Sequence, residues 1–119
     1  MGLATNTGAN ATSANVTLTA NASVQSWKII AMGQCITSGA GSAVNYMTIP
    51  SVRKDGAGNL TTFTMPVKPY PESVAGGTIF FPKGAEPLVD AQANSLVTGN
   101  YVTASTFTVW VKYEAVNKG

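Results

Sequence analysis

TFTVWVKYE, residues 106–114, alternates strictly between two kinds of side chain. Phe107, Val109, Val111 and Tyr113 point one way; Thr106, Thr108, Trp110, Lys112 and Glu114 point the other. A period of two puts successive side chains on opposite faces of an extended chain, so the stretch reads as a strand with one apolar face. The pattern runs from Tyr101 to Val116, which makes it the strongest element in the chain. Trp110 on the mixed face has two readings. Either the strand is central and covered on both sides, or the indole is presented for contact.

Upstream of this strand the same grammar repeats in shorter pieces. Leu88–Gly99 (LVDAQANSLVTG) reads as strand, turn, strand, although Ala91–Ala93 tolerate helix. Thr78–Pro82 (TIFFP) is a short apolar strand ended by a Lys83–Gly84 turn, and one of the neighbours Phe80 and Phe81 must face the core. Lys68–Gly77 is a Pro- and Gly-rich surface connection. Val44–Val52 and Leu60–Val67 flank RKDGAGN (53–59), whose Asp55–Gly56 marks a hairpin, and Pro50 assigns the first strand to an edge or a strand end. Thr37–Ala43 is a Gly/Ser turn. Val24–Ile36 is almost continuously apolar and reads as a strand buried on both sides, with a bulge at Gly33 and a buried Cys35; a helix there lacks caps and helical spacing. Val16, Leu18 and Ala20 alternate with Thr17, Thr19 and Asn21 as a half-buried strand. Seven to eight short strands predict a single all-β domain over residues 15–119, an antiparallel β-sandwich or jelly-roll-like barrel. Residues 1–14 have almost no apolar side chains beyond Leu3 and read as an extended N-terminal arm, held either by the body of the domain or by a neighbouring subunit.

Composition narrows the function. The 119 residues are 45% apolar, ordinary for a folded domain, but only 10% are charged, far below the usual quarter. Small neutral polar residues take the place of charge, which suits a surface covered by partners or a protein that works outside the cytosol. The net charge is +2 and its cations are scattered, so the basic stripe that nucleic acid requires is missing. No run is long and apolar enough for a membrane helix, and the N-terminus lacks the pattern of a signal peptide. One cysteine and no histidine leave no internal disulfide, no Cys-His or Ser-His pair and no zinc ligand set. Glu72, Glu86, Asp90 and Glu114 are too dispersed to form a glycosidase pair, and Asp55 with Asn59 supplies only two calcium donors. The sequons at Asn10, Asn15, Asn21 and Asn59 fall in a chain rich in Asn, Ser and Thr, where they arise by chance. The expectation is a protein with no catalytic residues, no metal and no cofactor.

What remains points to assembly. Tyr70, Phe80 and Phe81 sit beside prolines, and rigid aromatics are good interface anchors because little entropy is lost on contact. FFPKGAE (Phe80–Glu86) and TVWVKYE (Thr108–Glu114), with the succession of Thr/Val strands and Gly turns across residues 16–116, resemble small structural proteins of tailed bacteriophages, of the capsid decoration (cement) or head-fibre type. The resemblance implies a cytoplasmically made, disulfide-free virion subunit, often trimeric, that docks on the major capsid protein or another virion protein. The arm would then clasp a neighbour. Candidate partner contacts are Leu3, Asn6 and Asn10 on the arm, with Tyr70, Phe80 and Trp110 on the domain. Two other functions fit the sequence. One is a carbohydrate- or receptor-binding module with Trp110, Tyr70 or Tyr101 as an aromatic platform; the other is a self-assembling coat subunit.

Overall fold

The computed structural model describes residues 2–38, 45–54, 56–57, 59–73 and 76–117. They form eight strands: β1 (Gly2–Leu18), β2 (Val24–Ser38), β3 (Asn45–Lys54), β4 (Leu60–Val67), β5 (Tyr70–Ser73), β6 (Gly76–Phe80), β7 (Leu88–Asp90) and β8 (Ser95–Asn117). Every pairing is antiparallel.

β8 organises the molecule. Its alternation places Val97, Tyr101, Phe107, Val109 and Val111 on the buried face. β1 follows one edge of β8 along its length, from Gly2↔Tyr113 to Leu18↔Ser95. The other edge is shared: β3 takes the N-terminal part of β8, with Thr48↔Thr98, and β2 takes the C-terminal part, with Met32↔Val111. β7 pairs with both β2 and β3 and closes the circuit β8–β3–β7–β2–β8. The result is an all-β, barrel-like fold, 46 Å long and 22 Å across. β4 extends it beyond β3, and β6 and β5 extend it beyond β2.

The core is the set of inward positions on these strands: Val16 and Leu18 of β1, Ile29 and Met32 of β2, Met47 and Ile49 of β3, Val89 of β7, and Val97, Tyr101, Phe107, Val109 and Val111 of β8. Each such aliphatic side chain, fully buried, contributes about 1.5–3 kcal/mol. The β1–β8 ribbon bends where its register slips, between Gly8↔Phe107 and Ser13↔Asn100. Asn10 has a φ of 49° at the bend. Asparagine tolerates that left-handed conformation better than most residues.

The expected hairpin is present as β3–β4, and the strand–turn–strand reading of Leu88–Gly99 matches β7 and the start of β8. The segment read as an arm is extended backbone and is held by its own domain, since Gly2–Leu18 is one strand on β8. Three local readings need correction. Cys35 is exposed, because of the three register shifts in β2 the last one before it lies between Ile29 and Ala31, and none lies at Gly33. That shift points Ile29, Met32 and Gln34 inward and turns Cys35 out. The Lys68–Gly77 connection contains a strand, β5, which pairs with β6. Ala20 lies beyond the end of β1 and is exposed. The Gly/Ser turn from residue 39 onward, and Asp55 and Gly58 of the hairpin turn, lie outside the described residues.

Candidate functional site

The outward positions of β1, β8, β2, β6 and β5 form one surface. Residues opposite each other in an antiparallel pair face the same side of a sheet. Register therefore links Thr5 to Trp110, Trp110 to Gly33, Gly33 to Thr78, and Thr78 to Tyr70 in a single row. Four steps between strands make that row about 19 Å wide at about 4.8 Å each. A parallel row two residues along runs Leu3, Lys112, Ala31, Phe80.

These two rows gather four of the six residues that the sequence marks as partner contacts. Tyr70 is 81% exposed, Phe80 73% and Leu3 66%; Trp110 is half-buried. The sequence separates Leu3 from Trp110 by more than a hundred residues, and only the β1–β8 register makes them diagonal neighbours. Ala31 and Gly33 are buried between the larger side chains. Gly33 lets the Trp110 indole lie against β2: a Cβ there would stand 2.8 Å from Trp110 Nε1 and 2.7 Å from the Gly77 carbonyl oxygen. Beside the indole is an open hollow of about 250 Å³, lined by Gln34, Cys35, Gly76, Gly77, Thr78 and Trp110. Sequence reasoning missed Gly33, Ala31 and Thr78. A glycine inside a long apolar run was the available signal, because it often marks a close approach to a strand.

The other two marked residues make hydrogen bonds within the domain. Asn6 Nδ2 donates to the Asn15 carbonyl at 2.8 Å, which ties the two halves of β1 together across the bend. The Asn10 amide donates to Thr106 Oγ1 at 3.2 Å.

Beneath the hollow the interior is polar at one point. Gln34 is 1% exposed, and its Nε2 donates to the carbonyls of Asn100 (3.2 Å) and Tyr46 (3.4 Å), which are cross-strand partners in β8 and β3. It thus joins β2 to the opposite wall of the barrel. Tyr101, considered above as a platform for sugar, is 2% exposed and stacks edge-on against Phe107 at 4.8 Å, so it belongs to the core. Its hydroxyl has no hydrogen-bond partner among the described residues.

Burial pushes the Tyr101 hydroxyl up from 10 to about 12, with Cys35 adding a smaller electrostatic contribution. Between those two values the unfolded chain loses this proton before the folded chain does, so stability falls as pH rises. The urea midpoint is expected to drop from pH 10 toward about 12, and Tyr101→Phe is expected to remove part of the drop. At neutral pH the same substitution is expected to be neutral or slightly stabilising, because the lost hydroxyl has no partner. Equal drops in both proteins would show that other groups govern the alkaline limit.

Three of the four carboxylates weighed for catalysis are engaged locally. Glu114 pairs with Lys28 at 3.2 Å, Glu86 Oε1 accepts from the Gly84 amide at 2.6 Å, and Asp90 Oδ1 accepts from the Gln92 amide at 3.0 Å. The Glu72 side chain lies outside the described residues. No protein family, curated protein or solved structure matches the chain.

Proposed function

We propose that the protein is a non-enzymatic structural subunit of a virion, a capsid decoration protein that docks on a protein lattice through the outer face of β1, β8, β2, β6 and β5. The observation that carries this reading is the gathering of Leu3, Trp110, Phe80 and Tyr70 into two adjacent rows on that face. Large apolar side chains scattered singly need no explanation, whereas a contiguous group on one face marks an interaction surface. Aromatic anchors set in a nearly neutral Thr/Ala/Gly field fit a flat protein partner, with Lys112 the one cation in the rows. The resemblance to decoration proteins makes that partner a major capsid protein or another virion protein, and the site of action the virion. A homo-oligomer fits the same role.

A second reading, a carbohydrate- or receptor-binding module, is favoured by the hollow between Trp110 and Thr78, where an indole adjoins a hydroxyl. One experiment separates the two. Purified protein is co-sedimented with stripped tailed-phage heads and, in parallel, applied to a glycan array, each as wild type and as Trp110→Ala. The expected result is saturable binding to heads that Trp110→Ala weakens by about 2 kcal/mol, roughly thirtyfold in Kd. Saturable glycan binding with none to heads assigns the second reading. Closed particles formed by the protein alone, seen by negative-stain microscopy, assign a coat subunit instead.

A further inference from the structure

The fold leaves one long strand edge open. β1 has 17 residues and pairs with β8 alone among the described residues. An open edge presents unpaired N–H and C=O groups, and proteins that remain monomeric blunt such edges with short strands, charge, proline or bulges. β1 has neither charge nor proline, and the first charged residue in the chain is Lys28. Its two register shifts both lie after Gly8 and leave residues 2–8 as a regular run. In the other half of β1, the Asn15 carbonyl accepts from the Asn6 side chain, so the chain partly covers that edge itself. The remaining open edges differ. β5 is four residues long and contains Pro71, and β4 contains Pro66.

We infer that residues 2–8 of β1 pair edge to edge with the same residues of a second copy of this chain. Hydrogen bonding along an edge selects extended backbone, and the pattern of the run selects itself. A head-to-tail ring would have to join β1 to a different open edge, and those edges are shorter and each contains a proline. A two-fold axis requires only β1. Antiparallel pairing about Thr5 places Thr5 opposite its own copy and Leu3 opposite Thr7, which are favourable neutral pairs without like-charge contact. The outer rows of the two copies become continuous. Their Trp110 side chains lie three strand steps apart, about 14 Å at about 4.8 Å per step. This pairing does not depend on the proposed virion role, and its test involves no capsid.

The full chain is examined by sedimentation equilibrium as wild type, Thr5→Lys and Thr5→Glu. Thr5 is exposed on the outer face, so both variants retain the inward side of β1. The expected result is a dimer for the wild type, a dissociation constant raised about tenfold or more in each variant, and recovery of the dimer when the two variants are mixed. A monomeric wild type at high micromolar concentration overturns the inference. So do a trimer, a dimer that Thr5→Lys leaves intact, or a mixture that fails to recover; head binding by such a protein would leave the proposed function standing.

Discussion

Truncating Phe107 to alanine is expected to lower the unfolding free energy by about 3–5 kcal/mol, the usual range for a buried phenylalanine. Its position argues for the upper part of that range. Phe107 has no solvent exposure and meets Tyr101 edge-on at 4.8 Å and 69°. Its cross-strand neighbours are Gly8 on β1 and Ile36 on β2. Gly8 has no side chain to move into the space, and a Cβ there would already stand 2.9 Å from Ala14. The cavity therefore opens at the bend of the β1–β8 ribbon, where the register slips. A domain of this size has about 5–15 kcal/mol in total, so the variant loses a large share of it. Urea unfolding followed by tryptophan fluorescence reads the effect. The control is Ile36→Val, a half-buried neighbour expected to cost no more than about 0.5–1.5 kcal/mol. A Phe107→Ala loss below about 1 kcal/mol would mean that this end of the barrel is loosely packed.

The all-β class was legible because β8 and the β3–β4 hairpin carry strict alternation and clear turn residues, which are local signals. The closure of the barrel was not legible. It depends on which partner each half of β8 takes, and nothing in residues 95–117 marks the point where β3 gives way to β2. The fate of Cys35 shows how sensitive the inward and outward assignments are: one extra residue after Ile29 reverses the face of everything that follows. The candidate site was half legible. Composition and proline context drew attention to Tyr70, Phe80 and Trp110, and the weak apolar content of residues 1–14 drew attention to Leu3. Their union on one face is a fact of register across five strands, β1, β8, β2, β6 and β5, which periodicity cannot supply. The hydrogen bond from the Asn6 side chain to Asn15 was not legible either, because it requires the bend that brings the two residues together.

Three glycines separate the ways in which a glycine can matter, and they give the second large effect. Gly76 begins β6 with a φ of 118°, and a Cβ there would collide with the Gln34 carbonyl oxygen and stand 2.8 Å from the Tyr101 hydroxyl. Gly84 has a φ of 92° with open space around it, and Gly56 has open space without a positive φ. Alanine at Gly56 is expected to be near neutral. Alanine at Gly84 is expected to cost only the backbone strain, about 1–3 kcal/mol. Alanine at Gly76 incurs that strain and a clash with β2 backbone, which cannot rotate away as a side chain can. Its cost is expected to exceed that of Gly84→Ala by about 1 kcal/mol or more. The damage is also directed. Gly76 pairs with Cys35 and carries the chain into Thr78 and Phe80, and among the described residues β5 with Tyr70 pairs only with β6. Relief of the clash peels β6 from β2, so the outer row loses Tyr70 and Phe80 while Leu3 and Trp110 remain on β1 and β8. Amide hydrogen exchange is expected to show lost protection across β5, β6 and the facing residues 31–35, with β1 and β8 retained. Uniform loss across all strands would show that β6 is part of the cooperative core and that the site cannot be dismantled separately from the barrel.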